Sequence, residues 1–141
     1  MLNLTEIAEE LKKKTEWQDT PVQVSDTEYL AMALHGLKRL FIDTGRAKQY
    51  DYMKFTTLDD GSYCYNDTFY IDEEEYIKLC SQIDFFQKVQ SDVNNTVSYT
   101  TDALSVTNAD KPYANLKNTI GELDKERRIV YYKMVRFTLG E

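Results

Sequence analysis

The chain has 141 residues, of which 42% are hydrophobic, and a formal net charge of −7 at pH 7. This length predicts one domain with a buried core, and the 11 tyrosines argue against intrinsic disorder. No run approaches the roughly 20 apolar residues of a membrane span, and the amphipathic N-terminus lacks the apolar region of a signal peptide. We therefore expect neither a membrane protein nor a secreted one, with Cys64 and Cys80 as free buried thiols.

Charge is distributed unevenly along the chain. Residues 1–110 hold 20 acidic and 10 basic residues, a balance of −10, whereas residues 111–141 hold 4 acidic and 7 basic residues, a balance of +3. An acidic body argues against general nucleic-acid binding by that part of the chain. The basic tail fits the acidic body of another copy or an acidic partner, or it is an ordinary solvated helix face.

The N-terminal part of the chain predicts two helices. The first runs from Asn3 to Thr15, with one apolar face and three lysines in its last turn. The second follows Ser25, the first residue of a Ser-x-x-Glu capping box. It ends near Gly45, which suits a left-handed C-cap.

Aromatic residues crowd the middle of the chain, where the hydrophobic period changes. Between residues 46 and 71 they alternate around the turn signal Asp59-Asp60-Gly61. Such alternation about an Asp-Gly turn is typical of a β-hairpin, and an extended ordered loop is the alternative.

A third helix is predicted after this aromatic segment. It opens at Asp72, with Glu75 three residues later, and fades near Ser91. Apolar residues change phase within residues 94–107, which indicates a bulge, two short strands or an extended arm.

A heptad stripe marks the last quarter of the chain. Its apolar positions are Tyr113, Leu116, Ile120, Leu123, Val130, Met134 and Phe137. The stripe predicts a helix of about 26 residues, roughly 39 Å long, whose seam packs in part on the chain's own body. Arg127 interrupts the seam, and Gly121 leaves room for another backbone to approach at a cost of about 1 kcal/mol relative to Ala.

Together these elements predict a mainly α fold in a single domain, residues 1–141. The helical body covers 1–92, an extended arm covers 93–111, and a long C-terminal helix covers 112–138. The body is a small helical bundle that also holds the short β-hairpin or extended aromatic loop.

The chain offers no recognisable catalytic or cofactor motif. A Cys–His pair would need one of the two cysteines beside His35, the only histidine, and nothing in the local sequence supports that. No Cys/His cluster has zinc-ligand spacing, and no glycine-rich phosphate loop is present. The acidic run 72–75 could bind a hard cation with help from Asp59, Asp60 or Asp67, but acids at a helix start are explained by the helix dipole. We therefore predict no catalytic residue, no cofactor and no metal.

The C-terminal helix carries the most suggestive polar cluster. Basic residues at 125, 127, 128, 133 and 136 interleave with Tyr131 and Tyr132, a pattern that can bind single-stranded nucleic acid. Because acids lie alongside, ion pairing across a subunit interface is favoured, with Arg127 setting register or meeting a partner carboxylate. The predicted interface with a neighbouring subunit or another partner comprises Leu116, Ile120, Gly121, Leu123, Arg127, Arg128, Val130, Lys133, Met134, Arg136 and Phe137.

Three stretches resemble, in order, the head–tail connector (adaptor) proteins of tailed bacteriophages. Residues 25–46, SDTEYLAMALHGLKRLFIDTGR, resemble the capped second helix of these adaptors. Residues 71–86, IDEEEYIKLCSQIDFF, resemble the next helix. Residues 97–134 resemble the C-terminal extended segment and long helix, so the resemblance covers most of the chain.

This resemblance implies a virion structural protein of the neck, made in the host bacterial cytoplasm. Similar proteins form a ring, usually dodecameric, beneath the portal of the capsid, and their C-terminal arm and helix reach along the portal. The ring extends the DNA channel and docks the stopper or tail-completion protein. The acidic body suits a channel through which DNA slides without sequence-specific binding.

Two other functions fit the residues. A regulatory or protein-binding module could dimerise through the heptad seam of the C-terminal helix. A small hydrolase could use a metal held by an acidic constellation that includes Glu73 or Glu75.

Overall fold

The computed structural model describes residues 1–15, 24–99 and 116–139. Its four described helices are α1 (Leu4–Thr15), α2 (Asp26–Asp43), α3 (Ile71–Tyr99) and α4 (Leu116–Leu139). Three short strands, β1 (Leu2–Asn3), β2 (Phe55–Thr57) and β3 (Tyr63–Tyr65), form an antiparallel sheet in the order β1-β3-β2. The mainly α prediction is confirmed.

Local capping signals set both ends of α2. Before α2, Ser25 Oγ accepts from the Glu28 backbone N–H at 3.2 Å, and Glu28 Oε1 accepts from the Ser25 N–H at 3.4 Å. The predicted capping box is therefore confirmed. Gly45 follows α2 with a φ of +73°, the left-handed conformation predicted for its C-cap.

The aromatic segment forms a hairpin rather than an extended loop. Strands β2 and β3 pair antiparallel, with Phe55 opposite Tyr65, and they turn at Gly61, whose φ is +89°. Two short 3-10 helices, Ala47–Gln49 and Tyr52–Lys54, precede β2. The fully buried Tyr65 ring contacts Phe41 of α2, so aromatic packing joins the hairpin to the helices.

Helix α3 differs from its prediction at both ends. It begins at Ile71 rather than Asp72, because Glu73 and not Glu75 accepts the Tyr70 backbone N–H, at 2.9 Å. It continues past Ser91, so the predicted extended arm over 93–111 is wrong for residues 93–99. The sequence from 71 to 99 contains neither glycine nor proline, and nothing in the backbone interrupts the helical hydrogen bonds.

The rest of the predicted arm, residues 100–111, lies outside the described residues. So do the first predicted residues of the C-terminal helix, 112–115, which include Tyr113 of the seam. Within the described ranges, no helix is long and apolar enough to cross a membrane.

A close approach between α2 and α3 organises the core. The two helices run antiparallel, since Glu28 pairs with Lys88 at one end and Arg46 with Glu73 at the other. Between these pairs, a Cβ on Gly36 would lie 2.5 Å from the Ile77 carbonyl oxygen. Only glycine lets the helices touch here. Helix α1 packs mainly on α2, and α4 packs on α3.

Gly36 and Gly121 form a matched pair for testing this contact. Gly36→Ala should lower the free energy of unfolding by about 1–3 kcal/mol, because a methyl group is forced against backbone. Gly121→Ala should raise it by about 0.5–1 kcal/mol, since no described residue outside the adjoining helix backbone lies within 4 Å of that Cβ and alanine favours helix. Urea unfolding of both variants measures the difference. Equal effects of the two substitutions would contradict the close approach.

Candidate functional site

The predicted interface residues of α4 divide into an inward and an outward set. Leu116 and Met134 are buried, and Ile120, Leu123 and Val130 pack against the same core in part. Most of the described seam is thus used inside the chain, as expected for docking on its own body. This packing argues against a dimer formed through the seam. Side chains of Arg136 and Phe137 lie outside the described part.

Arg127 interrupts the seam because it bonds to polar groups inside the same chain. Its Nη1 donates to the Tyr76 hydroxyl at 2.8 Å, and its Nε and Nη2 donate to Asp124 Oδ1 at 3.0 and 2.7 Å. Asp43 of α2 lies 3.6 Å from Nη1 and accepts a hydrogen bond from the Tyr76 hydroxyl. The carboxylates that Arg127 meets are therefore intramolecular.

We call Asp43, Tyr76, Asp124 and Arg127 the polar clamp, since it joins α2, α3 and α4. Burial raises the pKa of the Tyr76 phenol, and its hydrogen bond to Asp43 raises that pKa further. Burial alone would lower the pKa of Arg127, but the bonds to Asp124 and Tyr76 outweigh burial and raise it. The bond from Arg127 also lowers the pKa of Asp124. At neutral pH Arg127 is therefore a cation, Asp124 an anion and Tyr76 a neutral phenol.

Other reactive side chains also have packing partners. His35 bonds to Asp84 across α2 and α3 rather than to a thiol. Cys64 and Cys80 are buried and free, as predicted. Burial raises the pKa of both thiols, that of Cys80 to about 12, so neither forms a thiolate near neutral pH.

The acidic run at the start of α3 has a structural role. Glu73 is buried, caps the Tyr70 N–H and pairs with Arg46. In the part of the chain that the structure describes, no group of three or more His, Cys, Asp or Glu residues could hold a metal ion. A cavity between α1 and α3, lined in part by Ile7 and Ser81, has a volume of about 10 Å³. That is room for about one water molecule.

Exposed apolar side chains gather at one end of the molecule. Pairing of Phe55 with Tyr65 puts the segments before β2 and after β3 at the open end of the hairpin. The Arg46–Glu73 pair brings the end of α2 and the start of α3 to that end too. The exposed residues there are Met1, Ile42, Tyr52, Met53, Tyr70 and Ile71, which we call the apolar end. Met53 and Ile71 are 89% and 86% exposed.

Sequence reasoning missed this apolar end. The crowding of aromatic residues between 46 and 71 does not distinguish the exposed Tyr52 and Tyr70 from buried neighbours such as Tyr65. One feature of the sequence indicates that Ile71 is exposed. It lies four residues before Glu75, on the polar face of α3 and off the face that runs through Tyr76 and Cys80.

The outward set of α4 residues forms a second open surface. Its exposed members are Lys117, Asn118, Gly121, Glu122, Lys125, Glu126, Arg128, Ile129, Tyr132 and Lys133, which we call the outer face of α4. Of the predicted interface residues, Gly121, Arg128 and Lys133 lie here, and the polar clamp is on the opposite side of the helix. Among the described residues, none from another element approaches Gly121, so the close contact predicted there is not made within that part of the chain.

Comparisons with protein-family models, with curated proteins and with solved structures gave no significant match.

Arg127 and Arg128 allow a matched test of the polar clamp, since both pair with Asp124. Arg127→Met should lower the free energy of unfolding by about 2–3 kcal/mol, because Tyr76 and Asp43 lose a buried donor. Arg128→Met should change it by less than about 0.5 kcal/mol, since exposed pairs contribute little. Their side chains are 19% and 67% exposed, respectively. Similar losses in urea unfolding would refute the clamp.

Alkaline pH should weaken the polar clamp because Tyr76 loses its proton. The pKa of Tyr76 is higher in the folded chain than in the unfolded one. The stabilisation that Tyr76 provides is therefore complete below pH 10, the ordinary pKa of tyrosine, and is lost as the pH rises above it. We expect Tyr76 to contribute a fall of about 1.4 kcal/mol per pH unit above that value. Urea unfolding from pH 9 to 11 should show that the free energy of unfolding falls less steeply with pH in Tyr76→Phe than in the wild type. Tyr52→Phe, at an exposed ring, should keep the wild-type slope, and equal slopes in all three proteins would exclude this role of Tyr76.

Proposed function

We propose that the chain is a virion structural protein, a head–tail adaptor that forms a ring beneath the portal of a tailed bacteriophage. The ring extends the DNA channel and docks the stopper or tail-completion protein. The sequence resemblance suggests this identity. The single structural observation that supports it is the apolar end, because exposed apolar side chains gathered at one end of a molecule are typical of protein interaction sites.

A subunit of a stacked ring needs a docking surface at one end. At the apolar end, the hairpin opening, the end of α2 and the start of α3 expose apolar side chains together. Exposed carboxylates of Asp51, Asp72 and Glu75 flank them. This arrangement has an apolar centre and a polar rim, which is typical of protein–protein interfaces. The portal or the stopper would cover the apolar end.

The described reactive groups favour a structural role over catalysis. The Tyr76 hydroxyl and the Arg127 guanidinium are held by each other and by carboxylates. The Cys64 and Cys80 thiols are buried and protonated at neutral pH. Each of these groups stabilises packing between helices or under the hairpin, so none is presented to a substrate.

The acidic body also fits a channel for DNA. Residues 1–110 carry a balance of −10, so a lining drawn from the body would repel phosphates. DNA would then pass without sequence-specific contacts.

Substitutions at the apolar end test this proposal. Met53→Lys with Ile71→Lys should weaken binding to the portal or to the stopper protein of the same phage at least tenfold, because lysines would be buried on docking. The fold should be unchanged, since both side chains are almost fully exposed. Leu58→Lys is the control, as it changes an apolar residue at the opposite end of the hairpin. Pull-down with each purified partner measures binding.

Two results would count against the proposal. One is a wild-type chain that binds neither portal nor stopper. The other is a double variant that binds both as tightly as Leu58→Lys does.

A further inference from the structure

We infer that the outer face of α4 is the lateral contact between copies and receives the acidic side of the next copy. We define the acidic side as Glu6 and Glu9 of α1 with Asp59 and Asp60 of the hairpin tip. The inference rests on the proposed ring and names the partner of one surface in it, a second copy of this chain.

The outer face of α4 combines basic and apolar chemistry. Four exposed bases, at 117, 125, 128 and 133, outnumber its two exposed acids, Glu122 and Glu126. Ile129 and Tyr132 are the exposed large apolar residues of the described part of α4. Bare backbone at Gly121 lets a neighbouring chain come close. Such a face can bind an acidic surface and bury two apolar side chains.

The acidic side is assembled by a contact between α1 and the hairpin. The Tyr63 backbone N–H donates to Thr5 Oγ1 at 2.8 Å, which places the first turn of α1 beside the hairpin tip. Burial raises the pKa of the Cys64 thiol, and the charges of Asp60 and Glu6 raise it further. Both carboxylates therefore lie within electrostatic reach of the same buried thiol. Glu6, Glu9, Asp59 and Asp60 are all exposed.

The two surfaces lie on different flanks of the molecule. Helix α1 packs mainly on α2, whereas α4 packs on α3. One copy therefore does not bring its own acidic side to its own outer face. Two different patches meeting between copies make a heterologous contact, and a heterologous contact repeated around an axis closes a ring.

Charge complementarity selects a second copy as the occupant. The four carboxylates of the acidic side oppose the excess of bases on the outer face of α4. Complementary charges set register and speed encounter more than they add affinity. The contact would therefore be weak between free copies and strong once copies are gathered on a portal.

Cysteine crosslinking of the full chain tests this contact. Mixing Glu9→Cys with Ile129→Cys at high concentration, with a bis-maleimide, should give covalent dimers of one copy of each. Each variant alone should give at least fivefold fewer dimers. Thr27→Cys mixed with Ile129→Cys is the control, since Thr27 is exposed at the start of α2 and off the acidic side. The native thiols give little background because both are buried.

Charge exchange sharpens the test. Lys125→Glu with Arg128→Glu on the Ile129→Cys chain should lower the yield at least fivefold. Adding Asp59→Lys and Asp60→Lys to the Glu9→Cys chain should restore it. Crosslink yields that match the Thr27→Cys control would overturn the inference. So would dimers of Ile129→Cys alone that form as readily as those in the mixture.

The two proposals can fail separately. If the crosslinks form but the chain binds neither portal nor stopper, the lateral contact stands and the adaptor function fails. If the chain binds a portal as a ring and Glu9→Cys does not crosslink to Ile129→Cys within that ring, the adaptor function stands and the proposed lateral contact is wrong.

Discussion

One partly buried arginine determines where the C-terminal helix lies. Arg127 donates to the Tyr76 hydroxyl and to Asp124, and it lies 3.6 Å from Asp43. Because its groups come from α2, α3 and α4, the polar clamp holds α4 at one position and rotation on the body. An arginine with only part of these partners would leave buried polar groups unsatisfied, which is costly. Which faces of the molecule stay open to partners follows from this placement.

The clamp turns the apolar seam inward and leaves the outer face of α4 exposed. The seam packs on the chain's own core, while the outer face of α4 and the apolar end remain open. A molecule with one apolar end and flanks of opposite charge can contact a partner at its end and copies at its sides. That combination fits a ring subunit stacked between other components of a virion better than it fits an enzyme with a single concave site.

Features set by neighbours in sequence were predictable, and those set by distant contacts were not. Ser25 and Gly45 follow local capping rules, and the aromatic hairpin follows its Asp-Gly turn. The heptad seam was found, but a stripe looks the same whether it packs within a chain or between chains. Tyr76 lies 51 residues from Arg127, so no periodicity reveals their bond. The apolar end likewise comes from segments that only the sheet register and the Arg46–Glu73 pair bring together.

Electron microscopy of the chain mixed with its proposed portal partner is the decisive measurement. We expect a closed ring on the portal, with Met53 and Ile71 of the apolar end buried against a neighbouring virion protein. Chains that stay unattached, or a ring in which these two residues face solvent or the DNA channel, would contradict it.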